Sequence, residues 1–233
     1  MVRIEATGTA LTNLQNAPRI SSGCPIQPGQ ESKSIGETPP IPLSLAEVGT
    51  LAALFGRGGI VAKLKRRLNR LKGKQCRVTP AKGTIACIDD NDLVYLGVEF
   101  LEEFQDQEDI LAGVMAHEWG HACAERPKKK DVNELNWNQI FELRRAHETL
   151  ADEISGRLLA LMGYKPDNLI KFLTDEKKRT HNLKYHDPQT RAQIVQHGYQ
   201  EEIKKIQLAQ ELFPSSEGSY RNNYQSKIID DDV

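Results

Sequence analysis

The sequence predicts an α+β fold, mostly helical with one small antiparallel or mixed sheet, and three observations carry that prediction. Ile110, Val114, His117 and His121 recur at spacings of four, three and four, which lines them along one face of a helix. Residues 134 to 162 carry a second long helical pattern, stopped by Gly163 with Pro166 beyond, the usual order of stop signals. Residues 74 to 96 alternate around turn residues at TPAKG and DDND, which predicts two or three short antiparallel strands.

Taken in order, residues 1 to 42 are rich in Gly, Pro, Ser, Thr and Gln without periodicity and read as a flexible leader. Folded structure is expected from Leu43, and 43 to 213 is expected to form one domain. From Leu43 to Lys72 the pattern is helical on both sides of a break at Gly56, Gly58 and Gly59. The strands follow, then a helix between Gln107 and Glu125, then the long helix from Glu134 to Met162. A last amphipathic helix is expected to begin with Asp187 as cap and Pro188 as first residue and to run to about Phe213. Residues 214 to 233 revert to a polar tail.

Composition bounds the function class. Hydrophobic residues make up 39% and charged residues 27%, as in ordinary globular chains. Lys plus Arg total 31 against 32 for Asp plus Glu, so the summed field does not attract nucleic acid, and no nucleic-acid partner is expected. One basic cluster stands out, KLKRRLNRLKGK at residues 63 to 74, interleaved with Leu64, Leu68 and Leu71 at helical spacing. The simpler expectation is a solvated basic helix face; the sharper one is a peripheral contact with a membrane surface or a polyanion. The N-terminal stretch lacks the basic start and apolar run of a secretory signal. The most apolar window, LSLAEVGTLAALFGRGGIVA, is interrupted by Glu47, Arg57 and glycines, so no transmembrane span is predicted and a cytoplasmic location is expected.

Four cysteines, Cys24, Cys76, Cys87 and Cys123, are too few and scattered for a disulfide scaffold, and reduced thiols are the default. CRVTPAKGTIAC reads as two strands around a turn, an arrangement in which Cys76 and Cys87 would face each other across a hairpin. Cys24 is expected to be a free cysteine in the leader, with capture of a metal by its thiolate as the alternative. Cys123 is expected to pack.

The chemistry concentrates in HEWGH, residues 117 to 121. Two imidazoles one helical turn apart share a face and can share one metal ion. Glu118, turned about 100° from His117, stays off the metal but within reach of a water beside it. A catalytic zinc takes three protein ligands and keeps one position open, so a third is needed. HETLADE, residues 147 to 153, offers Glu148, with Asp152 on the same face to orient the ring of His117 from behind. His147 is the alternative ligand, but it continues the stripe of Ile140, Leu143, Leu150 and Ile154 and is expected in the core.

HEWGH together with ETLADEISGRLLALMGYKP resembles the HtpX and prenyl-CAAX-endopeptidase type of gluzincin zinc peptidase, peptidase family M-48. The similarity covers about residues 84 to 195. It implies a zincin-like domain binding one zinc through His117, His121 and Glu148, with Glu118 as general base in hydrolysis of a peptide or protein substrate. The family's His-Pro segment followed by Arg is similar to YHDPQTR, giving His186, Pro188 and Arg191, with Asp187 intervening here. His186 is expected either to stabilise the tetrahedral oxyanion or to be a structural histidine at a helix start. Many family members carry transmembrane helices or signal peptides, and this chain resembles the soluble, minimal type. By fold analogy, the strand at Leu93 to Leu96 or at Thr84 to Ile88 would accept an extended peptide. The competing expectation is a non-catalytic zincin acting as a sensor or binding module.

Overall fold

The computed structural model describes residues 39–124, 135–175 and 185–212. The expected leader up to residue 38, Cys24 included, and the tail from 214 lie outside these residues. The described elements are β1 (Ile41–Pro42), a 3-10 turn (Gly49–Leu51) running into α1 (Ala52–Phe55), α2 (Ile60–Lys72), β2 (Arg77–Lys82), β3 (Ala86–Ile88), β4 (Leu93–Gly97), α3 (Val98–Phe104), α4 (Glu108–Cys123), α5 (Trp137–Met162), α6 (Asp167–Thr174) and α7 (Pro188–Leu212). The fold is α+β, mostly helical with a small mixed sheet of four strands. Among the described residues no helix is long and apolar enough to cross a membrane.

The sheet is mixed, and within residues 74 to 96 the pairing departs in part from the antiparallel strands expected there. Its order is β1-β2-β4-β3, with β2 and β4 parallel and the two outer pairs antiparallel. Residues 76 to 87 therefore do not form a hairpin, because β4 lies between β2 and β3. Cys76 is buried and makes no bridge to Cys87, which is itself disulfide-bonded rather than the reduced thiol expected. The chain between β2 and β3 crosses over the end of β4 instead: Gly97 N–H donates to Ile85 O at 2.8 Å, and a Cβ at Gly97 would stand 1.9 Å from Thr84 O. A side chain there would push the crossing away from the sheet.

Local signals place most helix ends. Asn136 and Gln139 form a reciprocal capping box, so α5 starts at Trp137 rather than Glu134. Gly163, at φ 78°, ends it in the left-handed conformation. Asp187 Oδ1 accepts the backbone N–H of Thr190 at 3.0 Å, and Pro188 opens α7. Sequence periodicity did not reveal α6, which sends Leu169 against Gly113 of α4 and Phe172 against the rings of Phe100 and Phe104.

The core is organised around α4, which packs on α2, β3, α5 and α6. The expected single stripe understates its burial: Leu111, Met115, Ala116, Trp119 and Ala122 are all fully enclosed. A helix surrounded on every side is a core helix, and polar groups on it must find partners inside. Trp119 Nε1 donates to Asn69 Oδ1 at 3.0 Å, and Asn69 also bonds both backbone groups of Cys76, at 3.0 and 3.2 Å. These bonds fix α4 against α2 and the sheet.

Candidate metal centre

The site forms where α4 crosses α5. Gly120, between the two histidines, meets Ala151: a Cβ on Gly120 would lie 2.7 Å from Ala151 Cα and 3.0 Å from its carbonyl oxygen. With no side chain at one position and a methyl at the other, the two backbones approach closely. On the facing side of α5, Glu148, Ala151, Asp152 and Ser155 are buried at helical spacing, so the polar groups of α5 look directly at the histidine face of α4. Ser155 Oγ donates to Gly113 O at 3.1 Å and ties the two helices one turn away from the site.

The crossing brings three donor atoms together. His117 Nε2 lies 3.2 Å from Glu148 Oε2, His121 Nε2 lies 3.7 Å from the same oxygen, and the two Nε2 atoms are 3.1 Å apart. The rings stand nearly perpendicular, at 88°. A tetrahedral zinc with ligands at about 2.0–2.1 Å separates its donors by roughly 3.3 Å. The observed triangle has sides close to that value, and a point roughly 2 Å from all three corners exists within it. The donor set of two imidazoles and a carboxylate is one that zinc takes in catalytic sites. The residues present therefore fit a divalent ion.

Behind this triangle stands a second row. Asp152 Oδ1 lies 2.8 Å from His117 Nδ1, so the Nδ1 proton is directed at Asp152 and Nε2 is the atom that would bind a metal. Arg191 of α7 grips Asp152 in a two-pronged pair, Nε to Oδ2 and Nη2 to Oδ1, both at 2.8 Å. Its guanidinium also lies over the ring of Tyr185, 4.7 Å from the centroid. α7 comes this close because Gly156 and Gly198 meet backbone: a Cβ on Gly156 would be 2.0 Å from Val195 O, and one on Gly198 would be 2.1 Å from Glu153 O.

Charge has the same logic. Glu118, Glu148 and Asp152 are all buried. Burial opposes charge on His117, but Asp152 and Glu148 beside it outweigh burial and push its pKa up to about 10. Glu148 is held well below the usual carboxylate range by His121 and His117 despite its burial. For Asp152 burial is likewise overcome, first by Arg191 and then by His117.

The remaining expected residues fall around this centre. Glu118 is buried on α4 next to His117. His147 is buried but stands outside the three-donor group. His186 Nε2 lies 3.0 Å from Thr149 Oγ1, whose own proton goes to Arg145 O at 2.8 Å, so His186 is anchored on α5 one residue past Glu148. Sequence reasoning named Arg191 without giving it a task. The available signal was Asp152 itself, since a buried carboxylate that faces a histidine with one oxygen needs a partner for the other. Of the two strands considered for an extended peptide, β4 is paired on both sides, while β3 is the outer strand and packs against α4.

No protein-family description, curated protein or solved structure matches this chain. The functional reading rests on the geometry above.

Proposed function

We propose that this chain is a zinc-dependent endopeptidase of zincin-like fold, with His117, His121 and Glu148 as metal ligands and Glu118 as general base. The observation that carries the reading is the triangle of three donor atoms, drawn from two helices, with sides of 3.1, 3.2 and 3.7 Å. When bound, zinc would supply Lewis-acid polarisation of a peptide carbonyl and lower the pKa of water to about 7. The chain's own residues do the rest. Asp152 and Arg191 hold His117 in one tautomer and one orientation. Glu118, one residue past His117, takes the proton of the attacking water and passes it to the leaving amine, a contribution on the order of 10²- to 10⁴-fold in rate. An extended substrate adds to β3, the outer strand of the sheet among the described residues, and His186 serves as oxyanion donor.

The test is zinc content and cleavage of a mixed peptide library, measured side by side. Glu118→Gln should keep one zinc per chain and lose cleavage by on the order of 10² or more. Glu148→Ala should lose the metal, whereas His147→Ala should keep it. Cleavage surviving Glu118→Gln, or zinc surviving Glu148→Ala, would refute the assignment. Zinc bound tightly by a wild-type chain that cleaves nothing in the library would instead favour a non-catalytic zincin.

A further inference from the structure

A second feature lies away from the metal site and is independent of the proposed chemistry. Between Glu47 and Asp89 the chain carries ten Lys and Arg residues and no Asp or Glu, although the whole protein has a net charge of -1. Much of this charge sits on α2. The apolar side of that helix is spent inside the molecule, where Val61, Leu64 and Leu68 are buried. Arg67 also turns inward, donating to Met162 O at 2.7 Å at the end of α5. Lys63 is exposed and Lys65 and Lys72 partly so; helical rotation puts Lys65 and Lys72 together on one side of α2 and Lys63 across the helix from them. Glu47, which acts on Lys82, and Asp92, 4.0 Å from Lys74, temper this basic surface.

Beside this surface is a cleft of about 310 Å³ whose apolar walls include Leu43, Leu45 and Phe55 and whose polar ones are Ser44, Thr79 and Lys65. Large aliphatic side chains stand out at its edge: Leu45 is 48% exposed, and Ile41, opposite Lys82 in the sheet register, is 58% exposed. Basic charge interleaved with exposed aliphatics and a partly apolar cleft matches a surface that is itself anionic outside and apolar beneath.

We propose that the outer face of α2, together with β1 and the cleft, docks on an anionic phospholipid bilayer. Docking is peripheral: α2 cannot lie in the membrane as an amphipathic helix, because its leucines are committed to the core. The lysines contact headgroups while Ile41 and Leu45 enter the interface. A single-stranded nucleic acid is the poorer fit, since it would call for aromatic stacking, and the cleft's aromatic ring, Phe55, is half-buried.

Co-sedimentation of the full chain with phosphatidylcholine vesicles, with and without phosphatidylserine, tests this. Binding is expected for the anionic vesicles alone and should be released by high salt. Lys65→Gln and Lys72→Gln, which share the side of α2 beside the cleft, should each weaken it about fivefold, the effect of one cation near such a surface. Leu45→Ser should weaken it further, with unfolding temperatures and zinc content unchanged in all three variants. Equal binding to neutral vesicles, wild-type binding by the lysine variants, or binding to RNA but not to vesicles would overturn the proposal. Zinc content and peptide cleavage report on the metal site separately, so failure here leaves that reading untouched.

Discussion

Two concentrations of charge in this protein obey opposite rules. At the crossing of α4, α5 and α7 the charges are few and buried, each within about 4 Å of an opposite or donating partner. On the outer face of α2 they are many, of one sign and largely in water. In low dielectric every carboxylate must be answered, so removing one member exposes the cost of the others. In water, single charges contribute little to stability and act on distant partners through a screened field. The same residue types therefore build a rigid centre in one place and an adaptable surface in the other.

The sharpest way to break this contrast is to remove one member of the buried network. Arg191→Met leaves Asp152 facing a single partner and should cost about 3–5 kcal/mol in urea unfolding, with zinc affinity reduced about 10- to 100-fold through His117. A loss no larger than that of an exposed lysine would show that the network is solvated. Next in size is Gly120→Ala. The added methyl meets the backbone of Ala151 at 2.7 Å, so the helices must part, at about 1–3 kcal/mol, and Glu148 must retreat from the histidines. Zinc titration should show weaker binding, whereas unchanged affinity would mean that the crossing has slack.

A smaller effect appears in the pH dependence of the metal-free protein. His117 has a folded pKa of about 10 against an ordinary 6.5, so its contribution is complete below pH 6.5 and is lost as pH rises toward 10. Glu148 and Asp152 act the other way: both pKa values are lowered, so their contributions hold above the ordinary carboxylate range and fade on acidification through the folded values. The urea midpoint of chelator-treated protein should therefore fall between pH 6.5 and pH 10, and Asp152→Asn should flatten that slope. Smallest of all, Lys63→Ala should leave the midpoint where it is; a clear shift would mean that the basic face is part of the folded framework.

Much of this was readable along the chain. The spacing in HEWGH puts two imidazoles on one face whatever the rest of the molecule does, and the helix end at Gly163 and helix start at Pro188 follow from backbone preferences of single residues. The pairing of strands was not readable in the same way. CRVTPAKGTIAC has the pattern of a hairpin, yet β2 pairs in parallel with β4, because pattern reports which residues alternate and not which strand lies alongside. The α6 helix was missed because its eight residues follow closely on the Gly163 and Pro166 stop and are too short for periodicity to speak.

By itself, then, the sequence determined the local pieces: where the long helices begin and end, which of their faces carry imidazole or carboxylate, and where basic charge gathers. Tertiary structure alone decided that Gly120 would meet Ala151, that Arg191 would reach Asp152, and that the cleft would open beside Lys65. The division has a physical cause. Helical spacing and capping are set by torsions within a few residues, whereas the closeness of two helices depends on side-chain volumes far apart along the chain, and those interactions exist only once the core has closed.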